Sequence, residues 1–360
     1  MKHLHFEPEA DGFYGAYWES KTPSDIAMIA MLGDDPEDYM GKTCVKWLHT
    51  YGINVMSMSP GKKNYSHHNY PIERIGSAIE WLKAHGNKKI GIVGASTTAT
   101  VALVAASHYH DITLTIALTP SDFVWQGFAQ GKRDGCKEWP IENESIVSIG
   151  GKPVPFMPFV YKHPEYWQKI AKASKEHGDS TYSKDVFDDS EAAGLLKEEH
   201  FIPVENIGGK LVLVGAEDDS LWDTAKYIRR MDNRLKSRPY SCKYSLYLYE
   251  HGTHFVFPES VLKKALPVGA DMLVNMSFSS AKKIPTESKA MRLDLDKIPS
   301  QKYLTLKQII TIVDIQRLIY LQQNLCVRFF RSYDRLYIII VSQNSAAHIG
   351  RLFLYPLKSS

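Results

Sequence analysis

Cysteine is scarce in this chain: Cys44, Cys136, Cys242 and Cys326 are the only four in 360 residues, widely spaced and without a Cys-x-x-Cys pair. This spacing excludes a disulfide framework and a cysteine zinc site, and it predicts reduced thiols. Charge of one sign is equally scarce. The net charge is +3, and there is no lysine- and arginine-rich run or RNA-binding signature, so nucleic acid is not an expected partner. No stretch approaches the roughly 20 apolar residues of a membrane-spanning helix. The opening residues, Met1-Lys2-His3-Leu4-His5-Phe6-Glu7-Pro8, lack the apolar segment of a secretory signal, which makes the cytoplasm the expected location. A small molecule is the expected partner.

What is present is alternation. Ile26-Ala27-Met28-Ile29-Ala30-Met31-Leu32-Gly33 is a continuous apolar run ending at glycine, the pattern of a parallel strand buried on both faces. Helical periodicity over 39–51, a strand over 53–58, a helix over 72–84, a strand over 90–93, a helix over 97–107 and a strand over 114–120 follow in turn. Strands and helices so spaced predict a doubly wound, mostly parallel sheet in an α/β fold. From Ser121 to about Asn206 aromatics, prolines and glycines replace the alternation, with helical stretches near 165–175 and 190–199. An insertion at this place lies over the C-terminal strand ends, where ligands bind, and is expected to be a lid. Trp125, Phe128, Trp139, Phe156, Phe159, Tyr161 and Trp167 are its candidates for an acyl pocket or for packing on the body.

The chemistry starts at Ser96, in Lys88-Lys89-Ile90-Gly91-Ile92-Val93-Gly94-Ala95-Ser96-Thr97-Thr98-Ala99. A short apolar strand that ends at Gly-x-Ser and opens into a small-residue helix is the pattern of a nucleophile elbow. The usual second glycine of G-x-S-x-G is Thr98 here. An attacking serine needs a base, and the base needs an acid to hold its tautomer. Lys210-Leu211-Val212-Leu213-Val214-Gly215-Ala216-Glu217-Asp218-Asp219-Ser220-Leu221-Trp222 reads as a buried strand and a carboxylate loop. Tyr244-Ser245-Leu246-Tyr247-Leu248-Tyr249-Glu250-His251-Gly252-Thr253-His254-Phe255 alternates as a strand and ends in Gly-x-His. The order Ser, Asp, His is that of α/β-hydrolases. Ser96 is therefore the expected nucleophile, His254 the base and Asp219 the orienting acid, with Asp218 and His251 as competitors. Gly252 is expected to give the backbone freedom that presents His254. The oxyanion hole needs two backbone donors: Thr97 supplies one, and the N–H of Gly33 or Asp34 the other. Asp34 and Asp35 alternatively cap a helix beginning near Pro36. No metal and no cofactor are called for.

With these residues placed, the chain resembles the α/β-hydrolase family of acyl-CoA thioester hydrolases and the C-terminal domain of bile-acid-CoA:amino acid N-acyltransferases. Ile92-Val93-Gly94-Ala95-Ser96, Thr119-Pro120-Ser121-Asp122, the Asp-Asp-x-x-Trp segment ending at Trp222 and His251-Gly252-Thr253-His254-Phe255-Val256-Phe257-Pro258 carry the likeness, from about residue 10 to residue 299. Family members that conjugate acyl groups to amino acids carry cysteine at the nucleophile, so Ser96 resembles the hydrolytic branch. The immunoglobulin-like N-terminal domain of eukaryotic members has no room before the first strand. The resemblance implies thioester or ester hydrolysis, with acyl-CoA as the family's substrate. A small-ester carboxylesterase of dienelactone-hydrolase type and a catalytically silent binding protein are the alternatives. Basic residues for the CoA phosphates are sought in Lys62 with Lys63 and in Lys132 with Arg133.

The expected organisation is a hydrolase domain over 1–300, with the insertion at 121–206, and a tail over 301–360. In the tail Lys and Arg outnumber Asp, and no glycine precedes Gly350. Because the alternation and all three reactive residues lie earlier, ending the chain near Ser300 should leave the melting temperature and esterase rate close to those of the full chain. Loss of soluble expression would show instead that the apolar stretch over 318–341 covers core surface.

Overall fold

The computed structural model describes residues 3–60 and 66–296, together with the backbone of 325–332 and 335–342. Two antiparallel edge strands, β1 (Leu4–Phe6) and β2 (Gly15–Trp18), precede the first expected strand, with the one-turn α1 (Pro8–Asp11) between them. They are too short to show a period of two, and the sequence pattern does not announce them. The apolar run then forms β3 (Ile26–Met31), followed by α2 (Tyr39–His49), β4 (Asn54–Met58), the two-residue β5 (Tyr70–Pro71), α3 (Glu73–Ala84), β6 (Lys89–Ala95), α4 (Thr97–His108) and β7 (Ile112–Leu118). Asp38, not Asp34 or Asp35, caps α2: its carboxylate accepts the Gly41 N–H at 2.6 Å, and the helix opens at Tyr39 rather than near Pro36.

The segment between β7 and β12 (Lys210–Ala216) departs most from expectation. It holds a long hairpin, β8 (Gln126–Arg133) and β9 (Cys136–Ser145), then the short β10 (Val147–Ile149) and β11 (Lys152–Pro153), and the helices α5 (Glu165–His177) and α6 (Lys184–Ala192). The hairpin turns on Asp134-Gly135, both with positive φ (48° and 77°), the two-residue loop whose twist matches antiparallel strands. The helix expected over 190–199 lies earlier, at 184–192. Gly194, at φ 72°, follows its end in the left-handed conformation that stops a helix. After β12 come α7 (Thr224–Ser237), β13 (Lys243–Tyr249), and four helices absent from the sequence reading: α8 (Glu259–Ala265), α9 (Ala270–Ser277), α10 (Ser279–Lys283) and α11 (Pro285–Leu295).

The strands form an eight-stranded sheet in the order β1-β2-β4-β3-β6-β7-β12-β13. Every pair from β4 through β13 is parallel, and only the β1–β2 and β2–β4 pairs are antiparallel. The fold is thus α/β, with a large, mostly parallel sheet and flanking helices. Helix α4 has no polar face: Thr97 to Ala106 are all buried, so it lies in the interior against β6 and β7. Each of its fully buried aliphatic side chains, such as Val101 and Leu103, contributes about 1.5–3 kcal/mol. Cys44, Cys136 and Cys242 are free and buried, and burial pushes the Cys44 thiol up to about 12.

Contacts divide the chain into two compact units, Met1–Lys297 and Ile298–Ser360. In the second, β14 (Leu325–Ser332) pairs antiparallel with β15 (Arg335–Ser342). The rest of the expected tail lies outside the described residues. Among the described residues no helix is long and apolar enough to cross a membrane.

One ion pair ties the start of the insertion to the body. Asp122, after β7, receives Arg230 of α7 through two bonds of 2.7 Å, and the guanidinium also bonds Glu191 of α6 at 2.7 Å. Phe123, Phe201 and Tyr227 stand within cation–π distance of the same guanidinium. Asp122→Ala takes two bonds from a half-buried guanidinium that keeps Glu191, and should lower unfolding free energy by about 1–3 kcal/mol in urea titration. An unchanged midpoint would mean that the pair holds nothing together.

Candidate active site

Ser96 sits between the end of β6 and the first turn of α4 at φ 60°, ψ −130°, a backbone region that a non-glycine residue occupies at a cost of about 1–3 kcal/mol. Several contacts hold it there. Its own N–H donates to the Leu118 carbonyl at the end of β7 at 2.8 Å. Gly94 allows α4 to approach the strand, since a Cβ there would stand 2.2 Å from the Thr98 carbonyl oxygen. Thr98 does what a second glycine cannot. Its buried hydroxyl accepts the Ala95 N–H at 3.0 Å and lies 2.6 Å from the Met31 carbonyl and 2.8 Å from that of Ala95. One proton serves the two carbonyls, and the side chain pins the turn to the end of β3.

The structure brings Ser96, His254 and Asp219 together in one hydrogen-bonded chain. Ser96 Oγ lies 2.8 Å from His254 Nε2, and His254 Nδ1 lies 2.9 Å from both oxygens of Asp219. Asp219 is 2% exposed and His254 8%, so little water competes for these bonds. The Asp219 carboxylate also accepts the Leu221 N–H at 2.9 Å and the Thr224 hydroxyl, which leaves it no freedom to rotate away from the imidazole. Trp222 meets the ring edge to face, with centroids 4.7 Å apart, and anchors its indole N–H on the Thr119 carbonyl at 3.2 Å. Thr119 itself stands at φ 50°, turning that carbonyl toward the indole.

The competing residues form a second pair. His251 Nδ1 lies 3.4 Å from Asp218 Oδ2 on the exposed surface, apart from Ser96. Gly252 matters for space, not for conformational freedom as expected. It carries no positive φ, and a Cβ there would meet Met291 Sδ at 2.7 Å and Ala216 Cβ at 2.9 Å.

Of the expected backbone donors, the Thr97 N–H opens α4 and has no intrahelical acceptor. Asp34 is a correction: its N–H donates to Asp38 Oδ2 at 2.7 Å and is occupied. Burial, with Asp38 nearby, also raises the Asp34 carboxyl above its ordinary range. The Gly33 N–H has no protein acceptor among the described residues, and a side chain at Gly33 would collide with Asp38 Oδ1 at 2.6 Å. Of the two expected donors, Gly33 is the one whose N–H is not taken by Asp38.

Ser96 and Thr97 open into a cleft of about 530 Å³. Its walls come largely from the insertion, with Trp125, Phe128, Trp167 and Phe187 joined by Trp222 from the loop after β12. Lys132 and Lys137 also line it. The expected basic pair splits: Arg133 lines a separate cleft of about 900 Å³ with Trp139, Phe156 and Phe159. Tyr161 donates to Asp189 at 2.7 Å. Lys62 and Lys63 lie outside the described residues. Among the described residues no group of three His, Cys, Asp or Glu side chains is placed to hold a metal.

Sequence reasoning missed Thr98 as a tie, Trp222 as the wall of the imidazole, and the polar side chains of the hairpin. Asp-Gly at 134–135 was the signal for the hairpin. A chain of Ser, His and carboxylate with this geometry can pass the hydroxyl proton to the imidazole as the oxygen attacks a carbonyl, while backbone donors hold the oxyanion.

The sheet order, the strand-to-helix turn at Ser96 and the inserted segment define an α/β hydrolase. The chain belongs to the family described as BAAT / acyl-CoA thioester hydrolase C terminal, whose sequence pattern matches residues 71–261, just over half of its length. It is accordingly a hydrolase of the esterase and thioesterase type. No curated protein matches the sequence. Among solved structures the chain is similar to the Pyrococcus furiosus esterase Pf2001, with 13% identity and a TM-score of 0.40 over 78% of this chain and 96% of that one. It is similar to Est1E from Butyrivibrio proteoclasticus, with 11% identity and a TM-score of 0.37 over 80% and 99%. The esterase domain of a Rhodothermus marinus protein gives 12% and 0.38 over 75% and 95%.

The elbow generates a test. Thr98→Val keeps the shape but leaves the Ala95 N–H and two carbonyls without their partner, and should cost about 1–3 kcal/mol in chemical denaturation. Thr98→Ser should stay close to the parent. Equal losses in both would assign the effect to the methyl group instead.

Proposed function

We propose that this protein is a serine hydrolase that cleaves acyl thioesters through an acyl-serine intermediate. The observation that carries the reading is the unbroken chain of hydrogen bonds from Ser96 Oγ through His254 to buried Asp219, on a strained turn at the mouth of an aromatic cleft. Ser96 attacks the acyl carbonyl and His254 takes its proton. The Thr97 and Gly33 N–H groups hold the oxyanion, helped by the positive end of α4. His254 then protonates the leaving thiol or alcohol and later activates the water that frees the acid. Asp219 holds the imidazole tautomer and stabilises its charged form. The insertion acts as the lid whose aromatics receive the acyl chain. No cofactor or metal enters these steps.

Family membership and the two lysines on the cleft favour acyl-CoA over a small oxygen ester. A polyanionic leaving group gains from Lys132 and Lys137 on the cleft, whereas a small alcohol gains nothing. Turnover is favoured over a silent scaffold by the distances, since every member of the chain is within hydrogen-bond reach of the next.

Ser96→Ala and His254→Ala should each lower kcat by about 10⁵-fold or more, with Asp219→Asn leaving a larger residue of activity, since the three act as a unit. His251→Ala should stay near the parent rate, and a crippled His251→Ala beside a mild His254→Ala would reverse the assignment. Lys132→Ala with Lys137→Ala should raise KM for acyl-CoA and leave nitrophenyl ester hydrolysis unchanged. Equal effects on both substrates, with no acyl-CoA preference in the parent, would make the protein a carboxylesterase.

A further inference from the structure

The cleft at Ser96 is not uniformly apolar. Glu138 of β9 stands in its wall among Trp125, Phe128, Trp167 and Phe187. Two neighbours that also line the cleft hold its carboxylate: the Tyr166 hydroxyl donates to Oε1 at 2.6 Å and Gln130 Nε2 donates to Oε2 at 3.0 Å. A carboxylate accepts at about four lone-pair positions, and these two bonds fill two. Tyr166 spends its only donor on Glu138 and Gln130 one of its two N–H groups, so acceptor positions of the carboxylate remain open toward the cleft. Burial raises the Glu138 carboxyl above its usual range, while the same burial and the neighbouring carboxylate hold the Tyr166 phenol well above its own, keeping it a neutral donor. None of the proposed catalytic steps uses this cluster. A carboxylate kept in an aromatic wall at the cost of desolvation needs a reason, and recognition of a complementary group supplies one.

We propose that Glu138, held by Tyr166 and Gln130, is a specificity-determining residue that selects acyl groups bearing a hydroxyl and rejects acyl groups ending in a carboxylate. The inference rests on the acyl-serine reading for its substrate. An anionic chain meets like charge at Glu138, whereas a hydroxyl finds a free lone pair on a carboxylate already fixed in place.

The test compares four nitrophenyl esters of equal backbone length: hexanoyl, ω-hydroxyhexanoyl, ω-methoxyhexanoyl and ω-carboxypentanoyl. In the parent, kcat/KM should favour the hydroxyl chain over its methyl ether, which cannot donate, by roughly tenfold, and over the carboxylate by more. Glu138→Gln should shrink the hydroxyl-to-carboxylate ratio by roughly tenfold or more. The methyl ether comparison needs no variant, so it decides the matter even if Glu138→Gln fails to fold. Calorimetric binding of ω-hydroxyhexanamide and ω-carboxypentanamide to the Ser96→Ala protein reads the same preference without turnover. If no ester is cleaved but the amides discriminate, the hydrolase reading falls and the role of Glu138 stands. A parent that treats hydroxyl, ether and carboxylate chains alike in rate or in amide binding overturns the proposal.

Discussion

The positive φ at Ser96 is the constraint from which the rest of the site follows. A serine in that conformation projects its hydroxyl away from the sheet and turns the first N–H groups of α4 toward the same point. The conformation is unfavourable alone, so its surroundings must over-determine it. Leu118 at the end of β7 accepts its N–H, Gly94 lets the helix close on the strand, and Thr98 fastens the turn to Met31 at the end of β3. Each anchor belongs to a different strand of the parallel sheet. The continuous burial of α4 keeps the helix from relaxing, because any shift would open the interior around residues such as Val101 and Leu103.

The same economy of position governs His254 and Asp219. They come from loops after adjacent parallel strands, β13 and β12, and parallel register brings both loops to one end of the sheet. Asp219 accepts bonds from its own loop and from Thr224 at the start of α7, so the carboxylate is fixed before the imidazole meets it. The neighbouring Asp218–His251 pair shows what burial adds. It has the same residue types one and three positions away, but it is exposed and longer, and water competes with every bond it makes.

Much of this was legible in the residues. The parallel sheet followed from apolar runs bounded by glycine and interleaved with helical periods, and Ser96, Asp219 and His254 followed from the order of three strand-end loops. What was hidden has physical reasons. Edge strands of three and four residues carry too little pattern to detect. The β8–β9 hairpin disguised itself with Gly127, Gly131 and Pro140, although Asp134-Gly135 announced its turn. Which of the two expected donors, Gly33 or Asp34, gives its N–H to Asp38 is a matter of loop closure that no local pattern encodes. The Glu138 cluster was invisible because Gln130, Glu138 and Tyr166 meet only once the hairpin and α5 are folded together.

The central claim is that the acyl group passes through Ser96. Quenching the full-length protein in acid during turnover of a thioester, followed by intact mass and peptide mapping, tests this directly. The account predicts a mass gain equal to the acyl group on the peptide containing Ser96. Steady turnover with the acyl group on another residue, or hydrolysis unimpaired in Ser96→Ala, would contradict it.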